Sequence, residues 1–157
     1  MTETVTETVE GVPEPVPEPD YHEMTRVLMA EIRESGHPMT GWFVGRDVFL
    51  LTTTGARSGE PRTIPLAYSR DGDRFVVTAS KGGAPTNPAW YFNLLADPTA
   101  TIEVDLETIK VRATTAEGAE RQRLWDQHVA IHFGIGEYPK LTDRIIPVVV
   151  LERIQPD

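Results

Sequence analysis

The sequence predicts a mainly β, α+β domain, a small closed or split β-barrel of six strands with a few helices packed on its outside. Three observations carry this. β-rich runs separated by Gly, Pro and Asp turns dominate residues 47–113 and return at 145–151. Helical periodicity is confined to three short stretches. The resulting order, α-β-β-β-α-β-β-α-β, joins most neighbouring strands by short connections, which favours antiparallel pairing and a curled sheet.

Taken in order, residues 1–20 are acidic and proline-rich, with Pro13, Pro15, Pro17 and Pro19 at alternate positions. Such a stretch cannot be helical and is too poor in large apolar groups to build a core, so it reads as a disordered acidic tail. Residues 21–157 then form a single domain. Tyr21 to Ser35 is amphipathic, with Met24, Val27, Leu28 and Ile32 on one face and Gly36 and Pro38 ending it. Thr40 to Gly45 is a loop carrying Trp42 and Phe43. Val48–Thr53, Arg62–Tyr68 and Arg74–Ala79 are strands, the last two joined by a hairpin at Asp71-Gly72. Asn87-Pro88 opens a helix, with Asn as cap and Pro at the first turn, that runs to Asp97. Ala100–Val104 and Ile109–Ala113 are paired strands. Ala116 to about His132 is a helix bearing Leu124, Trp125, His128, Val129 and His132 on nearly one stripe. A loop with Tyr138-Pro139 leads to a last strand, Ile145–Leu151.

Bulk composition narrows the function. The chain has 157 residues, enough for one real core. It has no cysteine, which removes disulfides and thiolate zinc sites. The net charge of −9 argues against nucleic acid as a partner. Six of the acids fall in residues 1–20, which hold no base, so the remainder carries only −3 and can form a local cationic groove. Without an apolar run of membrane-spanning length or a signal-peptide start, a cytoplasmic protein is expected.

Two loops stand out against this acidic background. Gly55-Ala-Arg-Ser-Gly59, with Arg62 just beyond, follows the first strand, and Ser80-Lys-Gly-Gly83 follows the third. Glycines let backbone N–H groups approach a ligand, and Arg or Lys adds charge and donors. Each loop has a simple reading as a turn, but two cationic ones point to one shared anionic ligand. The first lacks the spacing and Gly-Lys-Ser/Thr ending of a Walker loop, so a nucleoside triphosphate is rejected. His128 and His132, four apart, have the spacing of a metal pair, but without a third ligand they read as packing or pocket-wall residues. Gly134-x-Gly136 follows a helix and opens no βαβ unit, so it is not a dinucleotide fingerprint.

The wording of these stretches is also familiar. Leu51-Thr-Thr-Thr-Gly-x-Arg-Ser-Gly-x-Pro-Arg62, Ala79-Ser-Lys-Gly-Gly83, Asn87-Pro-x-Trp90, Asn93-Leu94 and Asp143-Arg144-x-Ile-Pro147 resemble the deazaflavin-dependent nitroreductase family over residues 48–151. These are split β-barrel oxidoreductases of actinobacteria that use coenzyme F420. The resemblance implies a six-stranded barrel like that of flavin-mononucleotide-binding oxidoreductases. It also implies a reduced deazaflavin as hydride donor, with a phosphate and an oligoglutamate tail to be held. By position it assigns Arg57, Ser58 and Gly59 to the phosphate, with Arg62 nearby, and Leu51, Thr52, Ala56 and Pro61 to the same wall. Ala79, Ser80, Lys81, Gly82 and Gly83 would line the ring, and Asn87, Pro88, Trp90 and Tyr91 would begin the helix facing the cofactor.

The acceptor implied is a small hydrophobic, electron-poor molecule: a quinone, an enone or other activated alkene, or a nitro compound. Trp42, His132, Ile135 and Tyr138 would wall its pocket, with Tyr138 or Ser80 as proton source. The best-known nitro-reducing pattern has several tyrosines where this chain carries His132, Ile135 and Tyr138, which weakens the case for nitroimidazoles. A flavin-mononucleotide-dependent reductase and a non-catalytic carrier are the alternatives on the same barrel. A monomer or homodimer is expected.

Overall fold

The computed structural model describes residues 21–132 and 134–155. The tail expected at residues 1–20 lies outside the described residues. The elements are α1 (Tyr21–Ser35), β1 (Val48–Thr54), β2 (Pro61–Ala67), β3 (Ser69–Asp71), β4 (Arg74–Thr78), α2 (Ala89–Ala96), β5 (Thr99–Val104), β6 (Glu107–Thr115), α3 (Gly118–Ile131) and β7 (Val148–Arg153). Short 3-10 turns cover Gly41–Phe43, Lys81–Gly83 and Ile135–Leu141.

All pairings are antiparallel, in the order β2-β1-β5-β6-β7-β4-β3. β2 and β3 therefore sit at opposite edges of the sheet, yet only Tyr68 separates them in the chain. One residue spans a few ångströms, so the sheet has to curl until its edges meet. The result is a barrel split between β2 and β3. This is also why seven strands replace the expected six. The run read as one strand from Arg62 to Tyr68 continues to Asp71 but changes partner at Tyr68, pairing first with β1 and then with β4.

Tyr68 holds that corner from inside. Its ring stacks on Phe49 at 4.7 Å and meets Phe75 edge-on at 5.5 Å, while its N–H donates to the Asp47 carbonyl. Aromatic pairs of this kind add about 0.5–1.5 kcal/mol beyond area burial. Desolvation raises the Tyr68 phenol above its ordinary pKa, with Asp105 and Asp47 pushing the same way.

The barrel interior takes alternate residues, among them Phe49, Leu51, Phe75, Val77, Ile102, Val111, Val149 and Leu151. The opposite faces are covered too. Val48 and Leu50 meet Leu28 and Ile32 of α1, and Val76, Val148 and Val150 meet Leu124 of α3. Burial on both faces explains the unbroken apolar runs at Val48–Leu51 and Val148–Leu151, where alternation is absent. The last strand starts three residues later than expected, beyond Pro147, whose carbonyl accepts from Ala79 while its ring nitrogen has no proton to donate. β5 and β6 close through Asp105 and Leu106, both at positive φ as a two-residue hairpin turn requires.

α3 is fastened to the split by His128 and His132, both fully buried. His132 Nε2 donates to the Tyr68 carbonyl at 2.7 Å, and His128 Nδ1 pairs with the Ser69 hydroxyl at 2.8 Å. The two histidines are packing residues of the corner, and His132 is not a pocket-wall residue as expected. Burial holds both imidazoles neutral: His128 is lowered to about 3, chiefly by desolvation with His132 adding to it, and desolvation likewise lowers His132. Around the nearby hairpin, Arg123 and Arg74 hydrogen-bond Asp71 and lower its carboxyl to about 2.

Candidate functional site

The Gly55–Gly59 loop leaves the end of β1, the Ser80–Gly83 loop leaves the end of β4, and the start of α2 lies between them. Together they enclose a groove of about 920 Å³ at one mouth of the barrel. Arg57, Arg62 and Lys81 line it, and no carboxylate does among the described residues. In a chain of net charge −9 this is a pronounced local inversion of sign. The rest of the lining is largely apolar or uncharged, including Ile64, Pro61, Pro88, Trp90 and Phe92. A groove that combines three cations with apolar walls suits a ligand with both anionic groups and an apolar body.

The first loop is held by its own backbone. The Gly55 N–H donates to the Glu60 carbonyl and the Gly59 N–H to the Gly55 carbonyl, at 2.8 and 2.9 Å. A Cβ on Gly55 would stand 2.6 Å from the Ser58 hydroxyl, so glycine is needed here for close approach and not for its φ. Ser58 Oγ in turn accepts the Glu60 N–H, which turns the loop inward. From α2, Asn93 Oδ1 accepts the Ala56 N–H at 2.9 Å while Nδ2 donates to Thr53 Oγ1 at 3.0 Å.

The second loop follows a left-handed path. Lys81, Gly82 and Gly83 all have positive φ, at 48°, 61° and 82°. Gly83 packs so closely on the 135–141 turn that a Cβ would lie 2.9 Å from Leu141 Cβ. Arg144 spans the loop from below, donating to the carbonyls of Ser80 and Ala84, each at 2.8 Å, and to Asn87 Oδ1 at 2.6 Å. Asn87 is thereby engaged by Arg144 and does not cap α2, which begins at Ala89.

Of the residues assigned to the cofactor, Ala56, Arg57, Ser58, Pro61, Arg62, Lys81, Pro88 and Trp90 line the groove. The others stand apart for identifiable reasons. Leu51 and Ala79 are wholly buried in the barrel core. Thr52 is bonded to Thr63, and with Gly59 it lines a neighbouring hollow with Thr99, Thr101 and Lys110. Gly82 is exposed, and Gly83 and Asn87 support the loop without lining the groove. Tyr91 lies on the far side of α2 with Leu94 and Leu95, three and four residues on.

The expected acceptor wall is likewise divided. Ile135 is buried and Tyr138 half-buried on the turn that abuts Gly83. His132 lies behind α3, as described. Trp42 lines a distinct apolar hollow of about 440 Å³ beside α1, with Met24, Val27 and Pro65, and carries the Arg46 guanidinium 3.7 Å above its ring. Of the two proton-source candidates, Ser80 is buried with its hydroxyl paired to Thr78 Oγ1 at 2.7 Å.

Asn93 and Arg144 stand among the quoted family motifs but were assigned no role in the site. A buried polar side chain inside the otherwise apolar eight-residue helix Ala-Trp-Tyr-Phe-Asn-Leu-Leu-Ala is a signal that would have singled out Asn93. Arg144 sits in an irregular loop and has no comparable local mark.

Known proteins match this chain over nearly all of the described domain. The family model for F420H(2)-dependent quinone reductase covers residues 24–153. An F420H(2)-dependent quinone reductase of Mycobacterium tuberculosis is 42% identical over 109 residues, 66% of this chain and 72% of that protein. Among solved structures, an F420-H2 dependent reductase, FDR-A, aligns with a TM-score of 0.63 at 39% identity, over 68% of this chain and 95% of the other. A chain described as a domain-swapped dimer aligns with a TM-score of 0.65 at 34% identity, over 84% of this chain and 96% of the other.

Proposed function

The chain belongs to the F420H(2)-dependent quinone reductase family, and on that premise we propose that it is an oxidoreductase that passes a hydride from reduced coenzyme F420 to a small, electron-poor acceptor of the quinone type. The observation that carries this reading is the groove itself. Three cations and several apolar side chains line it, with no acid among the described residues, in an acidic protein. The donor set fits a phosphate and carboxylates, and Gly55 lets the loop that carries Arg57 and Ser58 fold tightly on itself.

In this reading Arg57, Ser58 and Arg62 hold the phosphate, and the first turn of α2 adds its N-terminal dipole to the same end. The loop at Ser80–Gly83, with Lys81, lies along the ring. Bound there, the reduced deazaflavin supplies the hydride, and the protein is left to position the acceptor, exclude water and deliver a proton. The Ser80 hydroxyl is paired with that of Thr78, so Tyr138, half-buried on the turn beside Gly83, is our candidate to orient the acceptor oxygen and provide the proton. The acceptor is hydrophobic and small. No helix among the described residues is long and apolar enough to cross a membrane, and a cytoplasmic, monomeric or homodimeric protein is the accompanying proposal.

The test is a fluorescence titration with oxidised coenzyme F420, run beside flavin mononucleotide, followed by oxidation of the reduced cofactor with menadione. Binding of the deazaflavin and turnover with the quinone are expected. Tight binding of flavin mononucleotide alone would move the chain to a flavin reductase, and binding without turnover would make it a carrier.

A further inference from the structure

We infer that Arg144 is a positioning residue for the proposed site, the brace that sets the cofactor-side loop at 80–87 in register with the acceptor-side turn at 135–141. The inference rests on reading the cationic groove as the cofactor site.

The geometry is specific. Nη2 donates to Ser80 O, Nε to Ala84 O and Nη1 to Asn87 Oδ1. These three acceptors lie across one loop and 57 to 64 residues from Arg144 in the chain. All three acceptors are uncharged, so the guanidinium is held by dipoles and, among the described residues, by no carboxylate. The three guanidinium nitrogens each reach a different acceptor along the loop, whereas an ammonium carries its three donors on one nitrogen and cannot span them in the same way.

The loop has need of such a brace. Three consecutive residues have positive φ, and Lys81, the one that is not glycine, holds a left-handed conformation that persists only when its surroundings over-determine it. Its own backbone contributes the Gly83 N–H to Ser80 O and the Ala84 N–H to Lys81 O. The Ser80 carbonyl thus accepts from both Gly83 and Arg144, and Arg144 itself begins only three residues after Leu141, which closes over Gly83. Loosening Arg144 is expected to release the 80–87 loop and, through it, the packing of Gly83 against Leu141.

The experiment uses the full chain with Arg144→Lys and, separately, Asn87→Ala, and two readouts. Amide hydrogen exchange at Gly83 and Ala84 is followed without cofactor, and the Kd for oxidised coenzyme F420 is measured by fluorescence. For Arg144→Lys, exchange at both amides is expected to speed up and the Kd to rise, each by about tenfold or more, with the global melting transition retained. Asn87→Ala, which removes one of three acceptors, is expected to give about a threefold rise in Kd and to be non-additive with Arg144→Lys. Arg144→Ala is expected to recover part of its affinity in millimolar guanidinium. A lowered melting temperature with exchange and Kd unchanged in Arg144→Lys would make the residue purely structural and overturn the inference. If Arg144→Lys does not fold, an unchanged Kd and exchange in Asn87→Ala overturns it instead. Failure of the wild-type protein to bind the cofactor overturns the functional reading, while the exchange data still decide whether Arg144 braces the loop.

Discussion

Asn93 accepts the Ala56 N–H at 2.9 Å, so a side chain of α2 fixes the loop that follows β1, 37 residues earlier. Its other end donates to Thr53, leaving both polar atoms of a 7%-exposed amide satisfied. The cationic groove is therefore assembled by a helix that contributes no charge to it.

Replacing Asn93 separates stability from binding. Asn93→Leu strands the Ala56 N–H and the Thr53 hydroxyl and is expected to cost about 1–3 kcal/mol of folding free energy. Asn93→Asp keeps the acceptor for Ala56 but places a carboxylate among Arg57, Arg62 and Lys81. It is expected to retain most of the stability and lose cofactor affinity. Urea unfolding and fluorescence titration of the two variants measure each effect separately.

Arg57 gives the simplest test of the anion reading. It is exposed and lines the groove. Arg57→Ala is expected to weaken cofactor binding by about 1.5–3 kcal/mol, as for a lost charge-assisted contact, with stability within about 0.5 kcal/mol of wild type. Binding that is unaltered in the variant across a salt series would reduce Arg57 to a solvated turn residue.

Gly82 and Gly83 look alike in the sequence and differ in the structure. Both have positive φ, but a Cβ on Gly82 meets nothing within 4 Å, whereas one on Gly83 meets Leu141 at 2.9 Å. Gly82→Ala is expected to cost about 1–2 kcal/mol, the left-handed penalty alone. Gly83→Ala adds overpacking of about 1–3 kcal/mol. Equal melting temperatures for the two would mean that the 135–141 turn moves away freely.

The corner histidines predict an acid-side loss of stability. His128 is neutral when folded, with its pKa near 3 against an ordinary 6.5. The unfolded chain binds the proton more readily, so the contribution is fully present above about 6.5 and is lost as pH falls towards 3. In His128→Asn, which keeps a group facing Ser69, the slope of unfolding free energy between these pH values is expected to flatten. A slope matching the wild type would assign the acid sensitivity to other groups, such as the Asp71 cluster.

How much of this was written in local sequence is visible element by element. α1 ends where its Gly36-Pro38 stop places it, and the β3–β4 hairpin turns at Asp71-Gly72. Both depend on contacts a few residues apart. The two glycine loops are legible for the same reason, since glycine and a neighbouring cation state a local backbone need and a local charge.

What the sequence determined by itself was the inventory: a β-rich domain with three helices, two cationic glycine loops and their wording. The tertiary structure alone decided that one strand switches edges at Tyr68, that His132 turns into the corner and Trp42 to another hollow, and that Asn93 and Arg144 hold the loops. Each of these rests on partners 37 to 64 residues away, or on which face of an element a curled sheet presents. Periodicity and turn chemistry report the energy of neighbours along the chain. Barrel closure brings together groups whose pairing has no signature until the edges meet.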